Sequence, residues 1–217
     1  MNLKDYNADS ICQAVGLGQF VDLTWSSSET GAIRAVLTPS FHPEVVITLT
    51  KNKSQVQISV TAPSLQIWSL DFPKPTRSAI DQTSSDESTF SRFVQGFDAA
   101  ASEAKKPKSH GYLDGVGIEA CYISDSKIDQ FKAHVTRYEA SGRFVVQLTK
   151  YAWESCNRPE VKNALAKVAG YVDLKIPPVQ VSESPLIERT GILILGTPEE
   201  KNNLSKALEN HSKRGKR

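Results

Sequence analysis

The stretch that most restricts the fold is EVVITLTKNKSQVQISV, residues 44–60. With Asn52-Lys53 as the turn, Leu49 faces Val56, Ile47 faces Ile58 and Val45 faces Val60. Thr48 then faces Gln57 and Thr50 faces Gln55 on the other side. One apolar and one polar face is the pattern of a half-buried antiparallel pair. A slip of one residue would turn the whole apolar set to water. The hairpin therefore requires a sheet with a covered face, and the rest of the chain must supply the cover.

Upstream, Val21, Leu23 and Trp25 alternate with Asp22 and Thr24 in FVDLTW, and Ile33, Ala35 and Leu37 share a face in AIRAVLT. Both read as strands, with SSSETG as their connection. Downstream, SLQIWSLDF reads as a further strand ending near Phe72. A short helix is expected over about residues 5–16, with Ile11 and Val15 on one side. Residues 73–89, PKPTRSAIDQTSSDEST, are rich in Pro, Ser, Thr and Asp and read as a linker or surface loop.

The second half begins with a helix capped by Ser88, its stripe formed by Phe90, Phe93, Val94, Phe97 and Ala101. A second hairpin turns at Asp125-Ser126. Its register sets Val116 against Val135, Ile118 against Ala133 and Ala120 against Phe131, and brings Glu119 opposite Lys132. Two amphipathic helices follow. One carries Phe144, Val145, Leu148, Tyr151 and Ala152; the other carries Val161, Leu165, Val168, Ala169 and Val172 behind a first-turn Pro159. In GILILGTPEEKNNLSKALEN, a strand passes into a helix that Thr197 and Glu200 cap reciprocally. A phosphate loop needs more glycines and a following lysine, and the two glutamates at this helix start repel phosphate.

The expected fold class is α+β: an N-terminal antiparallel meander, then helix, hairpin, two helices and a C-terminal strand-helix unit. The division is 1–72 for the meander half, 73–89 for the linker and 90–210 for the second half, with a basic tail at 211–217. The halves are either two lobes or one continuous domain.

Function is less legible. The 217 residues carry a net charge of +2, too mild to point to nucleic acid. Much of the positive excess lies in the tail, with Lys213, Arg214, Lys216 and Arg217. Cys12, Cys121 and Cys156 are odd in number and far apart, which fits a reducing, cytoplasmic setting better than a disulfide framework. No stretch approaches the length of a membrane span. His42, His110, His134 and His211 follow no metal-ligand spacing, so no metal or cofactor is expected. Cys121 shares a hairpin face with His134 and Glu119, but offset along the strands; His134 falls opposite Gly117. Trp68 and Trp153 lie off the clean apolar faces of their elements, either covering the core's edge or meeting a partner.

The expected role is a cytosolic, non-enzymatic partner-binding protein, with toxin neutralisation of the immunity type as its narrower form. Trp68, Trp153, Lys213 and Arg214 are the candidate contact residues. The alternatives are an enzyme of unfamiliar type, a hydrolase using Cys121 or His134, and a weak nucleic-acid binder using the basic tail. Oligomeric state and partner identity cannot be read from these residues.

Overall fold

A computed structural model describes residues 6–22, 24, 30–67, 77–105, 115–125, 127–135 and 138–177. The chain divides into residues 1–181 and 182–217. The second unit, with the expected strand-helix joint at Gly191 and the basic tail, lies outside the described residues.

The first unit is an α+β fold built on six antiparallel strands. A helix α1 (Ala8–Ala14) precedes strands β1 (Thr30–Pro39), β2 (Val45–Asn52), β3 (Gln55–Pro63) and β4 (Ser78–Ser85). Helix α2 (Glu87–Ala104) carries the chain back to β5 (Val116–Ile123) and β6 (Ile128–His134), followed by α3 (Ala140–Ser155) and α4 (Pro159–Tyr171). The sheet order is β4-β3-β2-β1-β5-β6. One sheet thus runs through both halves, with β1 pairing with β2 on one side and β5 on the other.

Five expectations need correction. The first hairpin turns at Lys53-Ser54, so Leu49 faces Ile58 and Ile47 faces Val60. That is a slip of two residues, which leaves every side chain on its expected face. The stretch read as a linker contains β4, which hydrogen-bonds to β3 along its length from Ser78 to Ser85. The expected strands at SLQIWSLDF and FVDLTW are absent over residues 64–67 and over residues 20–22 and 24, while residues 68–72, Leu23 and Trp25 lie outside the described set. Asp86, not Ser88, caps α2: its carboxylate accepts from the Thr89 N–H at 2.8 Å and from the Ser88 and Thr89 hydroxyls. The second hairpin has its expected register, and Lys132 Nζ lies 2.5 Å from Glu119 Oε1.

Helices α2, α3 and α4 cover one sheet face. Their Phe90, Phe93, Phe97, Phe144, Leu148, Val161, Leu165 and Val168 pack on Ile33, Leu37, Ile47, Leu49, Ile58 and Val60. Phe93, Phe97, Phe131 and Phe144 meet edge-on or tilted, with centroids 5.2–6.5 Å apart, the geometry that aromatic quadrupoles favour. On the opposite face, Ile11, Cys12, Val15 and Phe20 pack on Val36, Val46, Cys121 and Ile123. The central strand β1 is therefore buried on both sides.

Two helix starts are capped by another element. The Glu139 side chain makes no cap bond at the start of α3; instead Glu103 of α2 accepts from the Ala140 N–H. Arg158 likewise makes no side-chain cap for α4. There Asp81 of β4 accepts from the N–H groups of Asn157 at 2.5 Å and Arg158 at 2.6 Å. Each carboxylate meets orphan amide donors at the positive end of a helix.

Candidate functional site

The connection between β1 and β2, residues 40–44, is short and tightly bonded. Ser40 N–H and Oγ each lie 3.0 Å from the Gly115 carbonyl oxygen, and Gly115 N–H returns a bond to Ser40 Oγ at 3.0 Å. Gln66 Nε2 donates to the Ser40 carbonyl at 3.2 Å, tying the loop after β3 to the same corner. Phe41 N–H donates to Tyr171 Oη at 3.0 Å, and His42 Nδ1 lies 2.9 Å from the same oxygen. Since that oxygen accepts from Phe41, its own proton is free to go to Nδ1 of a neutral His42. The two rings stand nearly perpendicular, at 80°. Burial first, then the Lys167 charge, lowers the His42 pKa, which favours that neutral form.

The corner depends on a glycine. Gly115 has φ +148°, and a Cβ there would fall 2.5 Å from His134 Nε2. A side chain is excluded both by the backbone conformation and by the imidazole.

Above this braced backbone the Phe41 side chain is 67% exposed. Leu65, on the loop that Gln66 ties to Ser40, is 45% exposed. Both lie at the sheet end where β1 and β3 finish. Exposed aromatic area on a fixed backbone is the usual form of an interface anchor. The nearby Glu44 carboxylate is fully buried, accepting from Tyr6 Oη at 2.5 Å and Ile67 N–H at 2.8 Å.

Of the contact residues singled out from the sequence, Trp153 alone falls among the described residues. Trp153 is half-buried against the three-helix core, with Lys162 Nζ 4.6 Å from its ring centroid. Trp68, Lys213 and Arg214 lie outside the described residues. Cys121 pairs with Gln130 and His134 with Gly117, roughly 13 Å apart along the ribbon at 3.3 Å per residue. The Cys121 thiol is buried, donates to the Phe20 carbonyl at 3.4 Å, and is pushed up to about 12 chiefly by desolvation. The structure does not bring this thiol and imidazole together. His134 sits over Gly115, while the space above Gly117 is taken by Thr38 Oγ1.

Phe41 was missed because it occupies a five-residue connection that reads as a plain turn. The available signal was an aromatic residue between Pro39 and Pro43, outside any strand alternation. Among the described residues, no group of three or more His, Cys, Asp or Glu is arranged to hold a metal ion, and no helix is long and apolar enough to cross a membrane. Searches against family models and curated proteins find no match for this chain.

Proposed function

We propose that the chain is a non-enzymatic protein-binding protein and that the corner carrying Phe41 anchors its partner. The observation behind this reading is the contrast at one residue: a hydrogen-bonded backbone beneath a side chain left two-thirds in water. Holding the loop in place before binding reduces the ordering cost of association. Burying an aromatic ring in a partner's pocket then supplies a concentrated share of the affinity. In its narrower form the role is toxin neutralisation in the cytosol, the partner being an enzyme whose action the bound chain blocks.

The test uses immobilised full-length chain and extract from the native host. Phe41→Ala is compared with wild type and with Ile128→Ser, which changes an exposed residue at the other end of the sheet. The expected outcome is a partner retained by wild type and Ile128→Ser and lost from Phe41→Ala. Thermal unfolding checks the fold, since an exposed-site change of this kind shifts stability by only about 0.5 kcal/mol. Equal retention by Phe41→Ala, or loss of the partner on deleting residues 211–217 alone, contradicts the reading.

A further inference from the structure

The two faces of the sheet are covered by different chemistry. Among the described residues, both buried charges, Arg34 and Glu44, lie on the side away from α2, α3 and α4. They sit with Thr48 and Thr61, also buried. Their cover is the chain's first described segment, residues 6–22. The polar ties that hold it down include Tyr6 Oη to Glu44, Ala8 N–H to Glu119 Oε2 at 3.4 Å, Arg34 Nη1 to the Gln19 carbonyl at 2.6 Å, and Cys121 Sγ to the Phe20 carbonyl. Arg34 Nε also donates to Thr48 Oγ1 at 3.2 Å.

We propose that residues 6–22 form a cover that opens as a unit while the sheet and its three large helices stay folded, exposing a sheet face on which Arg34 and Thr48 stand beside Val36, Val46 and Cys121. The cover contributes no strand, so its departure leaves every strand pair intact. Its helix has seven residues, too short to persist without packing. Lifting it returns Arg34 and the Tyr6 hydroxyl to water and opens one side of Glu44, which keeps its bond from Ile67 N–H, and this hydration offsets part of the apolar area lost. Opening the other face has no such offset, because Phe93, Phe97 and Phe144 would meet water. Opening free energies of this unequal kind are common within single domains.

The three free cysteines are built-in reporters. Cys12 lies buried on the cover itself, Cys121 on the sheet beneath it, and Cys156 in the three-helix core. Burial pushes all three thiols up, Cys12 to about 11 and the others to about 12. Closed, they are protonated and shielded, so an alkylating reagent reads opening. Full-length wild-type chain is treated with iodoacetamide in native buffer. Modification is followed cysteine by cysteine by peptide mass spectrometry, and each rate is divided by that of the urea-unfolded chain.

The expected result is that Cys12 and Cys121 react together, at least tenfold faster than Cys156. Tyr6→Phe, which removes one hydroxyl and the bond to Glu44, speeds both further without changing Cys156. One common rate for all three cysteines overturns the proposal. So does Cys12 outrunning Cys121, the signature of fraying in α1 alone, and so does an equal effect of Tyr6→Phe on all three.

Discussion

Asp81 shows how much one side chain can do away from any site. It sits on an edge strand yet supplies the cap of α4, and Arg158 Nη1 answers by donating to the Ile80 carbonyl at 3.1 Å. Desolvation raises its pKa, but the backbone bonds from Arg158, Asn157 and Gln82, with the Arg158 charge, outweigh it and hold the carboxyl below its ordinary value. A carboxyl depressed in the folded state stabilises above its unfolded pKa of about 3.9, and that contribution fades as pH falls through the folded value. Asp81→Ala is expected to cost roughly 0.5–2 kcal/mol at pH 7, the usual worth of a helix cap. The gap between variant and wild type should shrink as pH falls below about 4, where the unfolded chain's carboxyl takes up its proton while the folded one, held lower, is still ionised. Urea unfolding at both pH values measures this; a gap independent of pH contradicts the assigned role.

At the scale of elements, the two hairpins show what alternation can and cannot determine. In β5 and β6 the apolar pattern agreed with a charge pair, Glu119 with Lys132, and the register read from the residues is the one observed. In β2 and β3 no such pair existed. Slips of two residues keep apolar opposite apolar, so Leu49 could face Val56 or Ile58 with nothing in the pattern to separate them. The turn residues would have decided, but Lys53 holds φ 56°, a conformation that sequence reasoning assigns to Asn or Gly. Relief of that strain gives a direct prediction: Lys53→Gly raises stability by about 0.5–1 kcal/mol, read as a higher urea midpoint with unchanged slope. A fall in midpoint would mean that Lys53 contributes more through its contacts than it costs in backbone strain. In the helices the apolar stripes were legible because each faces one continuous core. Phe97→Ala, in the middle of the aromatic cluster, is expected to cost about 3–5 kcal/mol.

For the whole molecule, the boundary drawn at residues 73–89 failed for a physical reason. SAIDQTSS is an edge strand with a polar outer face, a composition that guards against edge-to-edge pairing and that also resembles a linker. Its identity comes from pairing with β3, not from its own residues. The Phe41 corner was hidden for a similar reason: its brace is Tyr171, 130 residues away. Local sequence shows a turn there; only the assembled sheet and α4 show a fixed platform with an exposed ring. The proposed function concentrates binding energy on that ring. Titration calorimetry of the purified partner against wild type and Phe41→Ala tests it most directly. A loss of at least about 30-fold in affinity, the 2 kcal/mol expected of a hot-spot residue, with the unfolding temperature unchanged, is the predicted result. Affinities within about threefold of each other, a difference under 1 kcal/mol, would contradict it.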